Sequence, residues 1–334
     1  MATTKAKSKS SSTKKTTSKT TVKKAAPAKA KTTVKTVTTT PIVSSAPSKK
    51  AASKLPANLT NIVLAELVGT FILALVATMT VVDITPLYVG LTLAALVMTI
   101  GAVSGAHVNP AVTFGLWSMK KVKSIMLPFY WGAQLIGAMA AVVVASLISG
   151  SQLGLNFGHF LSFDWSVFAV EFIGATVFLF ILTSVVARSD VSASGKSIGI
   201  GFALFIGLVV AGSLIAPVTK TAEAQYLKDL QAKAAESETG SPDMEALRTI
   251  PVPSSILVGG ATLNPAVALA ATEAKSAEEV WAGYGINDTS STAADTSSTY
   301  TRFTGEVILA TMLGALAGAG LTRILSYTFK NSKN

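Results

Sequence analysis

The chain has 334 residues, of which 50% are hydrophobic and only 13% are charged. Soluble domains usually have about 25% charged residues, so this composition argues against an ordinary soluble protein. The sequence contains no cysteine and two histidines, which excludes disulfides, thiol chemistry and a histidine-rich metal centre. We expect no cofactor and no bound metal.

The formal net charge of +11 comes from the first 54 residues. Residues 1–54 contain fourteen lysines and no acidic or aromatic residue, whereas the rest of the chain has fourteen basic and seventeen acidic residues, a net charge of −3. So polar a segment cannot offset the entropy lost on folding, and we predict a disordered cytoplasmic tail. Its charge could enforce membrane orientation, contact anionic lipid headgroups or, as the least favoured role, bind nucleic acid.

Six apolar runs of membrane-spanning length follow the tail and predict an all-α membrane protein. They are residues 61–82, 87–103, 127–148, 166–187, 197–216 and 303–326. Lysine and arginine are concentrated in alternate connecting segments, whereas residues 212–301 contain eleven acidic and five basic residues. The positive-inside rule therefore predicts a multi-pass protein of the cell membrane with both termini in the cytoplasm.

The two halves of this region resemble each other. Residues 65–70 of the first run match residues 170–175 of the fourth, and residues 109–112 repeat as Asn-Pro-Ala-Val at residues 264–267. Three spans in each repeat make the halves insert with opposite orientation, so the repeat is an inverted one.

Each Asn-Pro-Ala copy predicts the start of a short helix. Asparagine is a preferred helix N-cap, and proline fits the first helical position because it has no N–H to satisfy. The predicted helices, residues 110–117 and 265–272, are too short to span. If they enter from opposite faces, Asn109 and Asn264 meet near mid-membrane, where an uncharged oxygen atom can accept from both amides. The positive helix ends would oppose cations and protons.

These segments resemble the aquaporin (major intrinsic protein) family. Residues 104–113 and 259–266 are similar to its two signature loops, and residues 65–70 and 133–138 to its first and third helices. The resemblance covers residues 61–219 and 254–326. It implies six transmembrane helices plus two re-entrant half-helices in an inverted 3+3 repeat, a homotetramer, and one pore per subunit for water or small neutral solutes. The implied pore residues are Asn109, Pro110, Ala111, Asn264, Pro265 and Ala266.

One position departs from the family. An arginine usually follows the second Asn-Pro-Ala and lines the narrowest constriction, but this chain has Val267. By spacing, the other constriction positions are Val89, Leu208 and Ala261. This set has no charge, no aromatic ring and no side-chain donor, so we expect a wider or more apolar constriction with weaker cation exclusion, or one that dewets and closes. The glycerol-conducting branch typically has an aspartate in place of Ala268, which disfavours that branch.

Ionisable residues at membrane depth need partners. Glu66 and Glu171 occupy equivalent repeat positions, and we expect each carboxylate to accept from backbone N–H groups of the neighbouring re-entrant loop rather than to relay protons. We expect His107 to line the cytoplasmic vestibule or pack in the loop, with pH sensing as the alternative. Glu306 is expected near the headgroups, paired with Arg302.

The channel domain is predicted over residues 55–329, followed by a short cytoplasmic terminus at 330–334. An external insertion of about residues 217–253 lies within it. Residues 220–248 are expected to form an external amphipathic helix that is a solvated loop element rather than a binding domain. We expect residues 287–301 to form a flexible connection and His159 to be solvated in an external loop.

Three functions remain open at this point. The leading one is a passive channel, and the alternative is a structural or adhesive membrane scaffold with the same fold and little water conduction. A coupled transporter normally needs an acidic or polar ion site, which the half-helix pair lacks. The sequence contains no nucleophile–base arrangement, phosphate loop or metal-ligand spacing, so we expect no enzyme activity.

Overall fold

The computed structural model describes residues 55–79, 84–150, 155–236, 243–286 and 299–331. The predicted tail at 1–54, most of the predicted connection at 287–301 and residues 332–334 lie outside these ranges. Within them the fold is all-α. Its helices are α1 (Leu59–Met79), α2 (Thr85–Ser104), α3 (Pro110–Ser118), α4 (Leu127–Ser149), α5 (Trp165–Ala187), α6 (Ala193–Ala235), α7 (Met244–Arg248), α8 (Ser254–Leu257), α9 (Pro265–Ala270), α10 (Ala277–Gly283) and α11 (Gly305–Asn331).

Six of these helices are long and apolar enough to cross a membrane: α1, α2, α4 with the short 3₁₀ turn before it, α5, α6 and α11. The prediction of six spans is confirmed. Large apolar side chains such as Leu91 and Ile136 are more than half exposed on the outside of the bundle, whereas Glu66, Gln134 and Glu171 are completely buried. This distribution, with apolar side chains outside and polar ones inside, is the reverse of that in a soluble protein and suits a surface that faces lipid.

Helix packing follows the internal repeat. α1 packs on α2 and α4, and its counterpart α5 packs on α6 and α11. The two central helices α2 and α6 pack against each other, while each short helix contacts the last span of the other half, α3 with α11 and α9 with α4. Exchanging the halves therefore leaves the pattern of contacts unchanged, as an inverted repeat requires.

Glycine permits the closest approach between the two halves. A Cβ atom on Gly201 of α6 would lie 2.5 Å from the carbonyl oxygen of Gly90 in α2, a separation that real Cβ atoms essentially never show. The α1–α4 crossing depends on Gly137 in the same way, because a Cβ there would lie 2.3 Å from the carbonyl oxygen of Leu67. In a membrane the hydrophobic effect does not drive helices together, because lipid tails are as apolar as the side chains. Small residues stabilise helix pairs there by letting the two backbones pack closely.

The helix α6 differs from the predicted fifth span. The span was predicted to end at residue 216, but one helix continues through Pro217 to Ala235. Proline removes one backbone N–H and ordinarily breaks or kinks a helix. The helix continues because its far half is packed: Tyr226 and Leu230 are buried.

The predicted solvated insertion is in fact a packed element. Its apolar side chains form a cluster separate from the main core, built from the end of α6, α7, α8 and α10. Trp281 Nε1 donates to the Tyr226 hydroxyl at 2.9 Å, and the Arg248 guanidinium lies 5.5 Å from the centre of the Trp281 ring. A helix is present at the end of α6, but it is packed rather than solvated, because its successive turns bury apolar side chains. The buried members are Tyr226, Leu230, Leu247, Ile256, Leu257, Val280 and Ile286.

Candidate functional site

Both Asn-Pro-Ala copies begin a short helix. Asn109 Oδ1 accepts from the backbone N–H of Ala111 at 2.8 Å and of Val112 at 3.4 Å, while Asn264 Oδ1 accepts from Ala266 N at 3.0 Å and Val267 N at 3.4 Å. Each asparagine thus satisfies N–H groups that a helix start leaves without partners.

The second short helix ends two residues earlier than predicted, at Ala270 rather than 272. Beyond it, Ala271 is extended and its carbonyl accepts from the backbone N–H of Arg302, and Glu273 N–H donates to the carbonyl of Tyr300. The chain leaves the helix because residues 271–273 pair with residues 300–302, which precede α11.

The side-chain amides of the two asparagines bind the opposite loop. Asn109 Nδ2 donates to the carbonyl oxygen of Leu263 at 2.9 Å, and Asn264 Nδ2 donates to that of Val108 at 3.0 Å. An amide NH₂ group has two N–H donors, so one donor on each asparagine remains for a further acceptor. The helix starts therefore meet with their capping amides side by side.

The carboxylate of Glu66 supports the first loop. Its Oε1 accepts from His107 N at 2.9 Å and its Oε2 from Val108 N at 2.7 Å; Oε2 also accepts from Gln134 Nε2 at 2.8 Å. These loop N–H groups are buried and would otherwise lack partners. The carboxylate is completely buried, so its charge depends on these donors.

Glu171 makes the equivalent contacts with the second loop. Its Oε1 accepts from the backbone N–H of Thr262 at 2.8 Å and from that residue's hydroxyl at 3.1 Å, and its Oε2 accepts from Leu263 N at 2.9 Å. It differs from Glu66 in having a cationic partner, because Arg302 Nη2 donates to Oε1 at 3.2 Å.

A cavity of about 640 Å³ opens beside the second loop, where α1 ends and α2 begins. All four residues predicted by spacing for the constriction line it, and so does Asn264. In the part of the chain that the structure describes, Asn109 and His107 lie outside this lining. The four predicted lining residues are Val89, Leu208, Ala261 and Val267.

Arg302 also lines this cavity, and the sequence interpretation missed it. The predicted pairing of Arg302 with Glu306 was wrong: the guanidinium pairs with Glu171, while Glu306 Oε2 accepts from the backbone N–H of Asp164. Glu306 is also 2% exposed, so it does not reach the headgroup region as expected. The sequence feature that could have identified this cavity residue is a single arginine immediately before the predicted sixth span.

His107 is packed within its loop. It is buried, its ring stacks on Tyr130 with 4.4 Å between ring centres, and its Nδ1 lies 3.2 Å from the Thr113 hydroxyl. Both partners come from elements that hold the first loop in place. Of the three roles considered for this residue, vestibule lining, loop packing and pH sensing, the geometry favours loop packing.

His159 is not simply solvated as predicted, because its side chain is only 28% exposed and contacts a buried carboxyl group. Its Nδ1 lies 2.8 Å from Oε1 of the buried Glu273, and its ring stacks on Tyr300 at 3.6 Å between centres. Burial raises the pKa of the Glu273 carboxyl, which the neighbouring His159 and Arg302 partly oppose. Within the described ranges, no three His, Cys, Asp or Glu side chains are grouped to hold a metal ion.

The chain is similar to one described protein family and to several known proteins. Residues 56–221 match the family described as Major intrinsic protein, a stretch that ends before the second Asn-Pro-Ala. The chain is similar to "Probable aquaporin TIP3-2" of Oryza sativa subsp. japonica, with 44% identity over 71 residues, which is 21% of this chain and 27% of that protein. It is also 28% identical to "Aquaporin NIP2-3" of Zea mays over 176 residues, 49% of this chain and 58% of the relative.

Among solved structures, an aquaglyceroporin from Plasmodium falciparum matches 78% of this chain and 94% of its own, with 18% identity and a TM-score of 0.42. The alignments with the first three sequence relatives cover 27%, 58% and 60% of the relatives' lengths, less than two thirds in each case.

Proposed function

The chain belongs to the major intrinsic protein family and is a multi-pass integral membrane protein, and on that premise we propose that it is a passive channel for water and small uncharged solutes. The observation that carries this proposal is the paired asparagine amides. Each uses one N–H on the opposite loop and keeps one donor for a passing oxygen atom.

The surroundings of this pair favour neutral solutes. The two helix starts carry partial positive charge and point towards each other, which opposes a cation or a proton at their meeting point. Three of the four side chains placed at the constriction, Val89, Leu208 and Val267, are branched and apolar, and they offer an ion no replacement for its hydration shell. An uncharged solute that forms hydrogen bonds is not repelled by the helix starts and has no ionic hydration shell to lose.

The proposal is tested in vesicles containing the purified full chain. We expect osmotic shrinkage, followed by stopped-flow light scattering, to be faster than in empty vesicles and to have a low activation energy. The Asn109→Asp/Asn264→Asp variant removes an amide donor from each loop and adds negative charge at each helix start, so its shrinkage should fall to the lipid rate. Gln231→Glu, an amide-to-acid change at an exposed position of α6, is the matched control.

If folded protein neither shrinks vesicles faster than lipid nor admits glycerol, urea or ammonia, the channel proposal fails. The alternative would then be a structural or adhesive scaffold that uses the packed extension formed by the end of α6, α7, α8 and α10. In that case, deletion of residues 220–248 should abolish clustering of vesicles.

We also propose the setting of this channel. Its location is the cell membrane, and lysine and arginine in alternate connections support an orientation with both termini in the cytoplasm. This orientation makes the cavity beside Arg302 the external mouth. The family resemblance supports a homotetramer. The fourteen lysines of residues 1–54 suit contact with anionic headgroups, which is worth about 1 kcal/mol per lysine near the surface.

A further inference from the structure

We propose that Arg302 sets a positive potential in the cavity beside Asn264 and thereby keeps cations out of the pore. This inference rests on the proposed channel function and names the residue that determines its charge selectivity. Arg302 is the only charged residue that lines this cavity in the ranges the structure describes.

The arginine is held firmly in place. Its backbone N–H donates to the carbonyl of Ala271 at 2.9 Å, its carbonyl accepts from Thr304 N at 2.9 Å, and its guanidinium donates to Glu171. The residue is 7% exposed, and within the described ranges its Nε has no hydrogen-bond partner. A guanidinium has five N–H donors, so the bond to Glu171 leaves most of them unused.

The surrounding charges explain why this cation matters. Three buried carboxylates, Glu171, Glu273 and Glu306, lie around Arg302, and a second, smaller pocket lined by Glu273 and Glu306 has Arg302 in its wall as well. In the described ranges Arg302 lines the larger cavity, whereas none of these three carboxyls does.

Without the guanidinium, Glu171 would be a buried carboxylate with no cationic partner. His159 binds Glu273 instead, and the Asp164 carboxylate caps α5 and accepts from Ser255 N. An unpaired negative charge in a low-dielectric wall attracts cations strongly, so loss of Arg302 should turn a cation-excluding mouth into a cation-attracting one.

The first test compares the full chain with Arg302→Gln and Arg302→Lys in vesicles containing a pH-sensitive dye and a sodium gradient. We expect Arg302→Gln to increase proton or sodium leak about tenfold or more while osmotic water permeability stays measurable. Arg302→Lys, which keeps the charge, should leak far less. Arg302→Gln/Val267→Arg restores a cation at another position of the same cavity and should reduce the leak again.

The second test measures how the electrostatic potential in the cavity affects reaction with charged reagents. It does not require the protein to conduct water or solutes. Because the chain has no cysteine, Ala261→Cys places a single thiol in the cavity lining. Its reaction rates with a negatively and a positively charged methanethiosulfonate are then measured. With Arg302 present the anionic reagent should be favoured, and Arg302→Gln should lower the anionic-to-cationic rate ratio about tenfold. Cysteine at the exposed Leu227 of the extension is the control and should show no change.

The outcomes separate this inference from the proposed function. If water crosses but neither the leak nor the rate ratio responds to Arg302→Gln, the inference is wrong and the channel stands. If wild-type vesicles conduct no neutral solute, the channel proposal fails, and an unchanged ratio would overturn the inference as well. A ratio that falls at position 261 but not at 227, and recovers in Arg302→Lys, supports it even when Arg302→Gln conducts poorly.

Discussion

Val108 and Leu263 occupy equivalent places in the two re-entrant loops and have the same contacts. Each precedes the asparagine of its loop, and each has a positive φ, 43° for Val108 and 52° for Leu263, which branched residues rarely adopt. In both, the N–H donates to a buried carboxylate and the carbonyl accepts from the asparagine of the other loop. The strained backbone is therefore held by four bonds, two to the carboxylates and two that join the loops to each other.

Replacement of either carboxylate should loosen these loops. In Glu66→Gln and Glu171→Gln, an acceptor oxygen becomes an NH₂ group that faces a backbone N–H, and we expect a loss of about 2–4 kcal/mol in each. The loss should be larger for Glu171→Gln, because Arg302 is left buried without its ion pair. Thermal unfolding in detergent measures both, with the exposed Glu278→Gln as the control. Equal melting temperatures for all three variants would show that the carboxylates do not support the loops.

Alanine substitutions at two glycines of α4 should have opposite effects on stability. Gly137→Ala should destabilise the protein by about 1–3 kcal/mol, because its Cβ would lie 2.3 Å from the carbonyl oxygen of Leu67 and α1 would have to move. Gly132→Ala in the same helix meets nothing within 4 Å and should be neutral or stabilising by up to about 1 kcal/mol. The comparison fails if both variants lower the melting temperature equally.

Local sequence is enough to predict the spans and the two loops. The six apolar runs and the paired Asn-Pro-Ala copies are determined by residue type and spacing, and the offset of 105 residues between the repeats makes Glu66 and Glu171 equivalent by sequence alone. Their contacts follow from the need to satisfy buried N–H groups, which depends only on the loop being buried.

The missed features depend on contacts between distant segments. Arg302 reaches the cavity because residues 300–302 pair with residues 271–273. The same pairing brings Glu273 and Tyr300 into contact with His159. Neither segment has a periodic pattern that predicts such a pairing. The fifth span was predicted to end with its apolar run at residue 216, whereas α6 continues because α7, α8 and α10 bury Tyr226.

The buried Glu273 should make stability depend on pH. Burial raises the pKa of its carboxyl above the ordinary 4.5, so the folded state favours the neutral acid. The stability from the neutral acid is fully present below pH 4.5 and is lost as the pH rises through the raised pKa of the folded state. Glu273→Gln cannot ionise, so its melting temperature should fall less between about pH 4.5 and about pH 8 than that of the wild type, with the exposed Glu278→Gln as the control. Parallel pH profiles for the wild type and Glu273→Gln would contradict this assignment.

The packed extension makes a further prediction, because its core joins the loop that lines the cavity. Leu257 is buried in the extension, and its carbonyl accepts from the N–H groups of Ala274 and Lys275 just beyond the second short helix. Leu230→Ala removes a buried side chain of that core and should cost about 2–4 kcal/mol, seen as faster proteolysis within residues 243–250. Leu227→Ala, on an exposed position of the same helix, should change little.

The same pair of variants distinguishes a pore-coupled extension from an independent one. If the extension positions Gly259, Gly260 and Ala261 in the cavity wall, its loosening in Leu230→Ala should alter water or solute permeability in vesicles as well as protease sensitivity. An extension that serves only for contact with other molecules would become protease-sensitive without any change in permeability. Because Val258 begins the cavity loop directly after the buried Leu257, no intervening linker is available to absorb the change, and we expect both readouts to move together.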